Sequence, residues 1–477
     1  MNIRIFQVLP YILLILLFAS CKKEVVDGLN AITVQSNYEG FRGEVIDIEA
    51  VAVSEDGIKS VTANSSNGDP FVFNVPANST NLDLELSFPI PADAILNTSY
   101  MVNLVLEDLD GDIKEENFTI TVAPLLSSSP TTYNFTRNNE PTVSYSGQNE
   151  RLDQVVAIKN YLKEGDAGTQ MSAVVLNAAY SNEGGNGNGF FEFSSTKQLR
   201  DKTFLPDLDN RFMEALFEDA EAASTSGQAA GNGVAGLIVR ENSGNTVLVN
   251  AAGREYTQLI EKGLMGTVMY NQIYNTYFSD LRIGNDVENT ELVEGKNYTS
   301  MEHHWDEAFG YWNPPLDFSS YWPSNRGSED RFWSHYSNTV DPYLGTNDQI
   351  MLAFLNGRTA IVNNDLDGKN IQRDILFEKL ELVSAAVAIH YINDALEALN
   401  ENKIGEAFHV MSEAWAFVNA LKYSPNRKIS IEDIIKIQET DLGSDGNFWN
   451  VSPAGLNTAK STLVNIYSEL ASVQDQL

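Results

Sequence analysis

Leu82-Asp83-Leu84-Glu85-Leu86-Ser87-Phe88-Pro89-Ile90 places an apolar residue at every second position. A period of two is what a strand with one buried face requires, because successive side chains point to opposite sides of the backbone. Tyr100, Val102, Leu104 and Leu106 repeat the pattern, as do Phe118, Ile120 and Val122. Asp56-Gly57, Asn67-Gly68-Asp69 and the run from Asp108 to Asp112 punctuate it with turn-forming residues. Strands of this length and spacing predict an N-terminal all-β, immunoglobulin-like sandwich of roughly seven strands over residues 28–124. Asp108-Leu109-Asp110-Gly111-Asp112 resembles a calcium loop in composition, but it joins two alternating runs and reads as a hairpin turn.

Outward from that stretch the pattern changes twice. Residues 125–150, beginning Leu-Leu-Ser-Ser-Ser-Pro, read as a linker. From Arg151 the period becomes 3.6, with Leu152, Val155, Val156, Ile158, Tyr161 and Leu162 on one stripe. Similar stripes recur over 210–223, 255–278, 371–400, 404–422 and 455–475. Thr299 and Glu302 have capping-box spacing, so another helix is expected to start there. Residues 151–477 are thus predicted to form a large α-helical domain of eight or more helices, interrupted by one aromatic loop from Tyr311 to Tyr343. Gly263 and Gly266 would let a neighbouring helix come close. Glu183 to Gly189 is glycine-rich but lacks the spacing of a dinucleotide fingerprint. Asn363, Asp365, Asp367, Gly368 and Asp374 fit a helix-opening loop better than a calcium loop, since Asn370 stands where an apolar residue is needed.

The chain has 477 residues, 43% of them hydrophobic and 20% charged, which suits a folded chain of two or three domains. Its net charge of −34 repels nucleic acid and anionic lipid headgroups and would gather cations at an acidic cleft. Residues 1–21 read as a lipoprotein signal peptide. Arg4 supplies the positive start, the apolar run Val8–Ala19 is too short to cross a bilayer, and Cys21, the only cysteine, closes it in a lipobox-like context. The expectation is a mature protein whose only membrane contact is a lipid on Cys21, at the outer membrane of a Gram-negative cell, facing the periplasm or the surface.

All five histidines, His303, His304, His335, His390 and His409, fall between residues 303 and 409. Glu302-His303-His304-Trp305-Asp306-Glu307 gathers two imidazoles and three carboxylates in six residues. Side chains three or four apart share a helix face. Glu307 can therefore meet His304 or His303, Glu413 can meet His409, and Asp394 can meet His390, which extends an inward stripe. Such pairs on facing helices build carboxylate–imidazole metal sites. The candidate ligands are His304, Glu307, His409 and Glu413, with His303, Asp306 and His390 beside them. The alternative is that each imidazole packs, held by its carboxylate. His335 is expected to pack among its aromatic neighbours. No His-Glu-x-x-His, Gly-x-Ser-x-Gly or phosphate loop occurs.

The leader, the helical domain and His304-x-x-Glu307 resemble the imelysin-like proteins. Residues 133–477 look more specifically like a related domain-of-unknown-function family of bacterial lipoproteins. The likeness is carried by Tyr133 to Arg137, Glu261 to Gly266, His303-His304-Trp305-Asp306-Glu307-Ala308-Phe309-Gly310 and His409 to Trp415. It implies two helical bundles and a tie to iron uptake, while Glu302 stands where the imelysin motif has glycine. The expected function is binding of a metal ion, iron foremost, or of a metal-linked small ligand, for uptake or storage. The alternatives are a metal-dependent hydrolase with Glu307 as base, or a module that binds an envelope protein or glycan through Trp312, Tyr321, Trp322 and Trp333.

Overall fold

The computed structural model describes residues 30–66, 68–91, 93–323 and 330–477. The leader and Cys21 lie outside the described residues. Among those described, no helix is long and apolar enough to cross a membrane. The chain divides into two compact units, residues 1–123 and 124–477.

The first unit is an immunoglobulin-like β-sandwich with eight strands among the described residues: β1 (Ala31–Val34), β2 (Asn37–Gly40), β3 (Val45–Val53), β4 (Ile58–Ser65), β5 (Phe71–Val72), β6 (Asn81–Pro89), β7 (Ser99–Asp108) and β8 (Ile113–Val122). One sheet has the order β1-β3-β6 and the other β2-β8-β7-β4-β5, with β2 parallel to β8. In β6 the alternation does what it predicted: Leu84 and Phe88 are buried while Asp83, Glu85, Ser87 and Pro89 face water. They meet Ile48, Val61, Val102, Leu104, Phe118 and Ile120 in one apolar core. The turn between β7 and β8 is held by Asp108, whose Oδ1 accepts from the backbone of Asp110 and Asp112 at 3.0 and 2.8 Å. That is the geometry of a turn.

The second unit is helical: α1 (Ser146–Asp166), α2 (Ala173–Tyr180), α3 (Pro206–Ser226), α4 (Tyr256–Leu264), α5 (Asp280–Ile283), α6 (Ser300–Trp312), α7 (Trp333–Leu344), α8 (Thr346–Val362), α9 (Leu366–Asn400), α10 (Ile404–Ala420), α11 (Ile431–Lys436) and α12 (Pro453–Ile466). It also holds β-structure that the helical period did not announce. A small hairpin pairs Thr136–Arg137 (β9) with Glu140–Pro141 (β10), and a longer one pairs β11 (Gly236–Val239) with β12 (Thr246–Val249). The predicted helix over 255–278 is α only to Leu264; it continues as π-helical turns over Met265–Tyr270 and Gln272–Tyr277. Gly266 does admit a neighbour: a Cβ there would come within 3.3 Å of Ala420 at the end of α10.

Two segments read as loops are largely built into the core. Within residues 125–150, Tyr133 and Phe135 are buried, and Tyr133 stacks on Phe309 at 3.6 Å. Leu126 is held by both halves of the Asn363 amide, its N–H donating to Oδ1 at 2.8 Å and its carbonyl accepting from Nδ2 at 2.9 Å. Of the aromatic stretch, residues 333–344 are α7, and Trp312, Trp322 and Trp333 are buried, leaving Tyr321 exposed. Three of the four rings are therefore core, and only Tyr321 is open to solvent. Asp365 caps α9 by accepting from Gly368 N at 3.2 Å, as a helix-opening loop does.

Candidate functional site

Helix α6 begins with the expected capping box: Thr299 Oγ1 accepts from Glu302 N at 3.2 Å, and Glu302 Oε2 accepts from Thr299 N at 2.8 Å. Its carboxylates then go to structure. Arg358, fully buried, donates to Glu302 Oε1 at 2.8 Å and to Asp306 Oδ1 at 3.0 Å. Arg137 forks onto Glu302 from the other side, and the Tyr133 hydroxyl donates to Asp306 at 2.8 Å. Burial pushes the Asp306 carboxyl up to about 6 although Arg358 pulls it down, while Arg358 and Arg137 outweigh burial at Glu302 and hold it below its usual range. Asp306 therefore belongs to a buried ion cluster joining α6, α8 and the residues before α1.

The imidazoles of α6 point elsewhere. Glu307 Oε1 accepts from Gln148 at 3.0 Å and from the Tyr277 hydroxyl at 3.2 Å. Its nearer imidazole is His303, at 3.8 Å, which stacks on Tyr298. His304 faces Arg282, whose guanidinium lies 3.3 Å from Nε2, and its Nδ1 lies 3.4 Å from the Ser300 hydroxyl. Burial, Arg282 and His303 hold its pKa down at about 4, so this ring is neutral. The His304–Glu307 pairing is not made. His390 sits 3.6 Å from Asp394, but the two side chains are 31% and 41% exposed, so this pair lies at the surface and does not point inward. His335 is exposed beside Asp330.

His409 is different. Its Nδ1 lies 2.6 Å from Glu255 Oε2 and its Nε2 lies 3.4 Å from Glu413 Oε1, so the ring is clamped on opposite edges by two buried carboxylates. Burial alone would lower its pKa; the Glu255 and Glu413 charges outweigh that and raise it. Glu413 also accepts from the Tyr336 hydroxyl at 3.3 Å and lies 3.7 Å from Lys262, which is itself paired with Glu261 at 2.7 Å. Beside His409 opens a cavity of about 590 Å³, lined by Lys163, Asp166, Arg240, Thr246, Glu255, Thr257, Gln258 and His409 among others. Asp166 ends α1 and accepts from Leu248 N at 2.8 Å and from the Thr257 hydroxyl at 2.7 Å. Burial, then the neighbouring Glu255 charge, push its carboxyl up to about 7. Arg240 is held on the cavity wall by two bonds to Glu406.

The i, i+4 rule found His409 and Glu413. Glu255 and Asp166 escaped it, because they stand alone at helix ends more than 150 and 240 positions from His409 along the chain, at no diagnostic spacing. The donors do not converge on a point. Glu255 and Glu413 approach opposite edges of the ring, whereas ligands of one ion sit about 2–2.6 Å from a common centre. Among the described residues, no group of three or more His, Cys, Asp or Glu side chains is placed to hold a metal ion. The geometry suits proton exchange and hydrogen bonding to a molecule in the cavity.

No curated protein matches the chain. Among solved structures, the SrpA adhesin from Streptococcus sanguinis aligns over 27% of this chain and 75% of its own at 18% identity, with a TM-score of 0.18, too low to equate the folds. A family model described as a domain of unknown function, DUF4856, matches residues 130–473, well over half of the sequence, and the chain belongs to that family.

Proposed function

We propose that this is a cell-envelope protein tethered by a lipid on Cys21, and that its helical unit captures a small polar ligand, for uptake or storage and without catalysis. The observation that carries the reading is the cavity of about 590 Å³ walled by the His409–Glu255 ion pair and Asp166. Its size is in the range of small-molecule sites, which typically run about 300–1,000 Å³ and use a few convergent polar groups to fix orientation. Buried charges are costly unless paired, and Asp166, Glu255 and the largely buried His409 meet at this opening. In this reading the helical unit is a distant relative of imelysin-like proteins that has moved its polar centre from His304 and Glu307 to His409. A metal reaches the cavity only as part of a larger ligand.

The test is ligand-observed NMR against a chemically mixed fragment library, with His409→Gln and Glu255→Gln as controls. Hits on the wild type that both variants lose are the expected result. Fragments that bind all three proteins equally, or none, refute it. Calorimetry with ferric and zinc salts is expected to show no stoichiometric binding that His409→Ala abolishes.

A further inference from the structure

A second cavity, separate from the one beside His409, lies where the start of α3 meets the segment between α10 and α11. It holds about 300 Å³ and is walled by Phe204, Leu205 and Leu208 from the first segment and by Lys422, Arg427 and Ile431 from the second, among others. Phe204, Leu205 and Leu208 are all exposed, Leu208 at 57%, and so is Phe212, one helical turn further along α3. Single exposed apolar residues are ordinary, but four within nine positions form a patch, and a contiguous patch marks contact with something apolar.

The other wall carries two cations that no acid answers. Lys422 Nζ lies over the Tyr423 ring, 4.9 Å from its centroid, and forms no ion pair. Arg427 forms none either; its Nε is enclosed without a partner, while its two terminal nitrogens are not enclosed. Asp209, the acid on this wall, is already engaged, its Oδ2 accepting from Leu205 N at 2.8 Å and its Oδ1 from the Tyr423 hydroxyl at 3.4 Å. Burial holds the Lys422 ammonium below its usual range, and the Asp209 charge offsets only part of that. Other buried or half-buried cations are spent on carboxylates: Arg358 on Glu302 and Asp306, Arg240 on Glu406, Lys262 on Glu261. In a chain of net charge −34, two half-buried cations without a carboxylate in ion-pair reach reverse the local sign.

We propose that this cavity binds a straight-chain carboxylate, a medium-chain fatty acid, with its head on Arg427 and Lys422 and its tail along Phe204, Leu208 and Phe212. A guanidinium presents paired N–H donors that match a carboxylate, and an ammonium beside it adds a second charge. About 300 Å³ is at the small end of ligand sites, which suits the head and the first methylenes. The open apolar stripe of α3 continues from there and takes the rest of the tail out of water. Neither half suffices, since a short anion lacks the tail and an alcohol lacks the charge.

The experiment is isothermal calorimetry of the full chain bearing Cys21→Ser, which can carry no acyl group at that position, with octanoate below its micellar range. Octanol, octyltrimethylammonium and acetate are the contrasting probes. Expected is binding of octanoate and at least tenfold weaker binding of the other three. Lys422→Gln, Arg427→Gln and Leu208→Asn should each lose at least fivefold, with helical content by circular dichroism unchanged. Leu352→Asn, at an exposed leucine of α8 that does not line the cavity, should bind as the parent does. Octanol binding as tightly as octanoate, or full affinity in both charge variants, overturns the proposal. Equal loss in Leu208→Asn and Leu352→Asn marks unspecific adsorption and overturns it too. Sedimentation with phosphatidylglycerol vesicles without octanoate binding makes the patch a membrane-facing surface and likewise overturns it. Each of these failures leaves ligand capture beside His409 standing, because that reading rests on the other cavity.

Discussion

Replacing Arg358 by methionine is expected to destabilise the helical unit by about 3–5 kcal/mol at pH 7.5, the usual range when one partner of a buried ion pair is removed. The figure can be built from its parts. Asp306 has a pKa of about 6 with Arg358 in place. At pH 7.5 its charged form is therefore favoured by about 1.5 units, or roughly 2 kcal/mol. Without Arg358 that preference is lost and the carboxyl takes a proton. Glu302 keeps Arg137 but loses one guanidinium, and Thr142 loses its donor at 3.1 Å, which together add about 1–3 kcal/mol. The sign with pH follows. A carboxyl whose folded pKa lies above its unfolded value of 3.8 contributes stability at low pH that is lost as pH rises through the folded value. In the variant this loss continues to higher pH, so the penalty is smallest at pH 5.5, where Asp306 is already mostly protonated in the wild type. Urea unfolding followed at 222 nm reports the helical unit, since the sandwich contributes little helical signal. Asp306→Asn in the Arg358→Met background should return about 2 kcal/mol at pH 7.5. A penalty below about 1 kcal/mol, or one equal at both pH values, refutes the account.

Three other outcomes are expected. Gly357 packs against the Trp305 indole so closely that a Cβ would overlap the ring, so Gly357→Ala should cost about 1–3 kcal/mol in the same assay, whereas a neutral result means α6 and α8 can part without loss. His304, held at about 4, contributes stability that is present above pH 6.5 and lost as pH falls toward 4; His304→Gln should flatten that part of the stability–pH curve by about 1–2 kcal/mol after allowing for partial exposure. Cys21→Ser should move the protein from the membrane pellet to the soluble fraction and abolish labelling by a fatty-acid analogue; unchanged partition would remove the lipid anchor.

The sandwich was readable because its code is local: alternate residues of one strand share one fate, and Leu82 to Ile90 needs no partner to be understood. The capping box at Thr299 was readable for the same reason. The site was half readable. His409 and Glu413 lie one turn apart on one helix, but the tighter partner of His409 is Glu255, brought in by the packing of α4 on α10. The same long-range competition undid His304, since Tyr277 and Gln148 claim the Glu307 carboxylate first. The β11–β12 hairpin was missed because its two four-residue strands, Gly-Leu-Ile-Val and Thr-Val-Leu-Val, are too short and too uniformly apolar to show alternation. Dense ligand chemistry in sequence thus marked a place where charge was needed to hold helices together, as Arg358, Glu302 and Asp306 do.

The grip of Asn363 on Leu126 has a mechanical side. If a lipid on Cys21 tethers the chain, as proposed, a pull on that tether enters the helical unit along the backbone after residue 123. The first strong fastening it meets there is one amide side chain bonded in parallel to both the N–H and the carbonyl of Leu126, at the end of α8. Two bonds loaded together in shear share the force, whereas bonds peeled in sequence fail one by one. Behind them come the Ser129–Asn356 bond and the buried Tyr133 ring. Under the proposed tether, a pull would thus be taken up in steps at Leu126, Ser129 and Tyr133 before it reached the charged centre around His409.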